Sequence, residues 1–252
     1  MTPQIPGYVL TLELILRPLV IAIALGLIWL GAARMPASAK SRYTTAAALS
    51  AVLVGWEAVA QYLGAANTYL ATLEHPPAVP TILFGLLIPL AIAAVGLWRS
   101  ESIAKLVSAI PLHWLVAAQV YRIGGGMFLM LWADGRLPWQ FALPAGIGDV
   151  TTGILAVVVA SQLAQNAIGA RRATYAWCLF GIADLVVAIG MGAMTSPGRA
   201  HLLAFDAPNL LMTAYPLVMV PTFAVPLALM LHGLVLLRLR RENAPTGRLV
   251  AA

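Results

Sequence analysis

Charge is scarce in this chain: Asp, Glu, Lys and Arg make up 10% of its 252 residues, against about a quarter in an ordinary soluble domain. With apolar residues at 61% and a mean hydropathy of +0.89, a water-soluble globular fold is excluded. Cysteine is nearly absent. Cys178 stands alone, which excludes an intrachain disulfide and any multi-cysteine metal or iron–sulfur site. Lysine occurs only at Lys40 and Lys105, both between apolar runs, so no span carries an amine for a retinal Schiff base. Residues 1–12 hold no Lys or Arg; without a basic n-region, and with a first apolar run long enough to span, no cleavable signal peptide is expected. No Walker A or dinucleotide-binding glycine pattern is present, and Gly124-Gly125-Gly126 lies inside an apolar run rather than after a strand. No hydrophilic stretch is large enough for a separate soluble domain, so residues 1–252 read as one unit.

What the chain has instead is a series of apolar runs of membrane-spanning length. The expected fold is all-α: a polytopic bundle of seven transmembrane helices at about 8–33, 43–65, 79–98, 111–133, 139–163, 173–195 and 215–237. Loops 1, 3 and 5 and the C-terminal tail hold Arg34, Lys40, Arg42, Arg99, Lys105, Arg171, Arg172, Arg238, Arg240, Arg241 and Arg248, whereas the opposite loops hold Arg136 and Arg199. That bias predicts a cytoplasmic C-terminus and an external N-terminus. It also accounts for the net charge of +6 without a nucleic-acid partner; the lipid bilayer is the partner expected. Residues 99–110 suit a short interfacial helix, and the loop at 196–214 suits a cap over the bundle. Pro216, Pro221 and Pro226 should bend the last span. Pro144 with Gly146 and Gly148 allows either a kink or an unwound turn in the fifth. Similar Pro and Gly spacing at Pro89–Gly96 and Pro226–Gly233 suggests that spans 1–3 and 5–7 are parallel repeats.

The charges left inside the spans are the informative residues. Arg17, Glu57, Arg122, Asp149 and Asp184 all lie eight to eleven residues from the outer end of their spans. A rise of about 1.5 Å per residue puts them near one level. Facing lipid, each would cost about 3 kcal/mol, a sum comparable with the whole stability of a domain. They must face inward and pair. Small neighbours agree with this: Ala118 and Gly125 beside Arg122, Ala145 and Gly153 beside Asp149, Gly181 and Ala188 beside Asp184. Arg122 and Asp149 flank the polar turn Asp134-Gly135-Arg136 and form the expected central pair. Glu13 sits one turn before Arg17 on the same face. Two arginines against Glu57, Asp149 and Asp184 leave a formal charge of −1, to be met by a proton, a cation or a cationic ligand.

Several readings remain open from the residues alone. In the first, a transporter-like or small-ligand-binding protein, Asp184 and Glu57 accept a proton or cation while Arg17 balances charge. In the second, a membrane-embedded enzyme or haem or quinone redox subunit, His113 and His232 serve as ligands. In the third, an assembly partner, the charges only fix helix packing. His75 and His201, with Glu74 and Asp206, lie in outer loops, where a surface metal site is conceivable. No substrate or cofactor is identified.

From residue 118 to 235 the chain resembles a widespread set of uncharacterised bacterial multi-pass membrane proteins. The resemblance rests on Arg122 with the glycines after it, Leu137-Pro138, Phe141-Ala142, Ala145-Gly146 and Gly148-Asp149, then Asp184, Ser196-Pro197-Gly198, Pro221-Thr222-Phe223, Val225-Pro226-Leu227 and His232. It implies a bacterial inner-membrane setting and no particular chemistry.

Overall fold

The computed structural model of the protein describes residues 3–77 and 81–243. Arg248 of the basic tail and residues 79 and 80 of the expected third span lie outside the described residues. The apolar runs become helices α1 (Gly7–Arg34), α2 (Ala39–Ala65) and α3 (Ile82–Arg99), followed by the short α4 (Glu101–Ala109). The fourth span is composite: α5 (Leu112–Ala117), a 3-10 stretch (Ala118–Gly125) and α6 (Gly126–Ala133). Then come α7 (Trp139–Ala164) and α8 (Ala170–Thr195), and a π turn (Val220–Ala224) that leads into α9 (Val225–Asn243). Among the described residues there is no strand, and seven helical segments are long and apolar enough to cross a membrane.

Helix ends follow local chemistry. The Ser38 and Ser100 hydroxyls accept from the backbone N–H groups of Ser41 and Ile103, each at 3.3 Å, and so open α2 and α4. Three helices end on a left-handed residue, Asn67, Gly135 or Asn166. At each the backbone closes back over the last turn, as in Thr68 N–H to Leu63 O at 3.0 Å and Arg136 N–H to Leu131 O at 2.8 Å. Elsewhere, arginines cover the bare carbonyls at the ends of α1 and α4. Arg42 donates to Ala32 O and Ala33 O at 2.8 and 2.7 Å. Arg238 donates to Ser108 O and to Ile110 O, the latter at 3.2 Å. These cations therefore neutralise helix C-termini as well as carrying the loop charge bias.

At the centre, α7 packs on α8 and along the whole composite fourth span. On one side α1 packs against α2 and α4; on another α3 lies on α9 and the π turn. The outside is apolar: Leu14 is 68% exposed, Val186 60% and Trp98 80%, a surface that water would not tolerate at this extent but lipid would. A short helix does form within 99–110, as α4, where Lys105 and Glu101 pair at 2.8 Å and Leu106 is buried. The loop at 196–214 does cap the bundle. Asn209 is fully buried and donates its N–H to Thr195 O, and Thr213 accepts from the Ala71 N–H.

Two expectations change and one alternative is resolved. The last span is Val220–Arg241 rather than 215–237, because Pro221 has no N–H for the Leu217 carbonyl, which takes that of Val220 instead, and the chain enters the helix through a π turn. No unwound turn occurs at Pro144: α7 is continuous across it. The irregular backbone lies opposite, in the 3-10 stretch that carries Arg122. The parallel repeat is not reflected in packing, since α8 lies along α9 whereas α2 and α3 form no comparable contact.

Candidate functional site

Arg122 is held at the point where four helical segments meet. The 3-10 geometry of residues 118–125 turns its side chain, only 3% exposed, toward α7, α8 and α9. Its Nε donates to Asp149 Oδ1 at 2.7 Å, and its Nη2 pairs with Asp184 Oδ2. Its Nη1 donates to the Gly181 carbonyl at 3.3 Å and lies 3.2 Å from His232 Nε2. An arginine can only donate, so His232 Nε2 accepts and the ring proton sits on Nδ1. That nitrogen faces Cys178 Sγ at 3.3 Å, and the thiol in turn reaches the His232 carbonyl at 3.4 Å. One cation thus faces two carboxylates and a neutral imidazole, leaving the group formally at −1.

Glycines make this approach possible. A Cβ at Gly125 would strike the Asp149 side chain, one at Gly148 would strike the Asp184 carboxylate, and one at Gly181 would lie 2.5 Å from His232 Nε2. Each buried polar side chain is therefore seated against a residue with no side chain on the neighbouring helix, which lets helices close around charge without a void. This pattern runs between helices and was not visible as a motif.

A second group adjoins the first. Arg17 donates to the Tyr215 hydroxyl at 3.1 Å and stands 3.8 Å from Glu57 Oε1. Gln61 also reaches that hydroxyl, at 3.5 Å. Glu13, 8% exposed, makes no hydrogen bond or ion pair among the described residues; Arg17 acts on it only through space. Between the groups lies a cavity of about 80 Å³ whose wall includes Glu13, Arg17, Arg122 and Asp149 together with apolar side chains.

Of the expected site residues, Arg122, Asp149 and Asp184 converge directly, whereas Arg17 and Glu57 form a pair of their own beside them. His232, expected only as a ligand alongside His113, lies against Arg122. It belongs at the level of Arg122, because the last helix starts five residues later than expected. The structure does not bring His113 and His232 together. His113 precedes Arg122 by nine residues along the fourth span, about 15 Å at helical rises, and its ring instead neighbours Trp114 at 6.0 Å. No cluster of three or more His, Cys, Asp or Glu arranged to hold a metal occurs among the described residues. Cys178, Tyr215 and the isolation of Glu13 are not among the site residues the sequence points to. Only Glu13 had a legible signal, as an acid on the face of Arg17.

Fold and site together define an all-α apolar bundle, with seven helical segments long and apolar enough to cross a membrane and an ion-paired centre inside it. The chain belongs to the family of a domain of unknown function, DUF8737, whose model matches residues 77–240. That match takes in α3 to α8 and α9 up to residue 240, and with them Arg122, Asp149, Asp184 and His232; α1 and α2, with Glu13, Arg17 and Glu57, precede it. No curated protein and no solved structure matches the chain.

Proposed function

We propose that this is a multi-pass protein of the bacterial cytoplasmic membrane, N-terminus outside, that binds a proton or small cation in its buried layer as part of a transporter-like cycle. The observation that carries the reading is the charge balance around the cavity. Arg122 faces Asp149 and Asp184, and Arg17 pairs with Glu57 while Glu13 stands nearby without a pair of its own, so each group is one positive charge short. In a medium of low dielectric an uncompensated carboxylate is costly, and a proton or cation relieves that cost. Asp149 and Asp184 each hold a different arm of Arg122. Neutralising one carboxylate frees that arm, which is the kind of bistable contact an alternating cycle needs.

The basic loops at one end support the orientation. The test is cation or proton flux in proteoliposomes under an imposed pH gradient, followed with an entrapped pH dye. Flux in the native protein that Asp149→Asn and Asp184→Asn abolish supports the reading. Equal dye signals from native protein, both variants and empty vesicles would leave the charges a packing device, a role that the four-fold engagement of Arg122 already suits.

A further inference from the structure

We infer that the cavity beside Arg122 is a binding site for a small organic cation, a protonated amine with an apolar body, and that Glu13 is its counter-ion. The inference deepens the proposed function and rests on the same cavity. Glu13 is more than nine-tenths buried, lines the cavity and makes no hydrogen bond or ion pair among the described residues. The arginines nearby do not serve it. Arg122 is engaged by Asp149, Asp184, Gly181 and His232, and Arg17 by Tyr215 and Glu57. A buried carboxylate in that position asks for a partner that the chain does not supply.

The rest of the wall says what kind. Tyr121, Phe128 and Phe223 present aromatic rings, and most of the remaining lining is aliphatic. The Tyr121 hydroxyl is spent on the Ala224 carbonyl at 3.1 Å. A hard metal ion requires about six oxygen ligands, and this wall, whose side-chain oxygens are the Glu13 and Asp149 carboxylates and the Tyr121 hydroxyl beside two arginines, falls short. An alkylammonium needs one carboxylate for its head and apolar or aromatic surface for its stem and flank. The volume of about 80 Å³ corresponds to roughly five to eight water-sized positions, enough for an amine of about that many heavy atoms.

The test is calorimetric titration of the purified full chain in lipid nanodiscs with n-butylammonium, against butyrate and 1-butanol as anionic and neutral probes of the same length. Native protein should bind the ammonium and neither control. Glu13→Gln should weaken binding about tenfold or more, the loss of one charge-assisted contact. Glu13→Asp should keep the selectivity with reduced affinity, and Phe128→Leu should weaken binding severalfold by removing an aromatic face. Absence of ammonium binding to native protein, equal binding of butanol, or unchanged affinity in Glu13→Gln overturns the inference. If Glu13→Gln does not fold, probe selectivity in native protein and the Phe128→Leu titration decide. Selective, Glu13-dependent binding without vesicle flux would sink the transport reading and leave the site; flux without selective binding would do the reverse.

Discussion

Replacing Arg122 by Met removes the cation that α7, α8 and α9 share while keeping much of its volume. Asp149 and Asp184 then face each other without compensation, and the Gly181 carbonyl and His232 Nε2 each lose a donor. Breaking a buried ion pair by deleting one partner costs about 3–5 kcal/mol. For a chain of this length that is a fall in Tm of about 6–20 °C. Neutralising the carboxylates at the same time, in Arg122→Met/Asp149→Asn/Asp184→Asn, removes most of the penalty, since what remains is an uncharged, hydrogen-bonding contact. Arg122→Lys should fall between, because one ammonium cannot span two carboxylates on different helices. Thermal unfolding in one detergent, read by intrinsic tryptophan fluorescence, checks the series. A single variant as stable as the native protein, or a triple variant no better than the single, would refute the argument that these charges are mutually compensated in the interior.

Gly148→Ala should destabilise by about 1–3 kcal/mol, the usual range for overpacking, because its methyl meets the Asp184 carboxylate; Gly190→Ala, with open space at the new Cβ, should be neutral or slightly stabilising in the same melt. Cys178 is 0% exposed, so maleimide labelling of folded protein should be slow and should accelerate on unfolding, which mass spectrometry of timed samples reads. Arg238→Ala should cost about 1–2 kcal/mol by exposing the last carbonyls of α4, measured by the same melt. In a Cys178→Ala background, cysteines at Ser38 and Ser196 should react with impermeant maleimide from opposite faces of inverted vesicles; labelling from one face would break the seven-span topology.

Much of this architecture was legible before any coordinates. A membrane helix satisfies its own backbone, so each long apolar run declares its limits, and six of the seven expected spans agree within four residues at either end. Arg122, Asp149 and Asp184 were legible for a related reason: a charge has few tolerable places in a bilayer, and small residues beside each marked the face it turns inward. His232 and Cys178 gave no such signal. A neutral imidazole or thiol in an apolar run reads like many others until the neighbouring helix is known.

The sequence by itself determined the number of the spans and the extent of all but the last, the end of the bundle that is basic, and which charges must lie inside. These depend on hydrophobicity and depth, which are properties of one helix at a time. Tertiary structure alone decided how the charges were shared. Arg122 took two carboxylates and His232 from three helices, Glu57 went to Arg17, and Glu13 was left beside a cavity. Those assignments depend on the rotation and closeness of helices, set by where Gly125, Gly148 and Gly181 meet their opposites and by the 3-10 turn that aims Arg122, and no reading of one helix contains them.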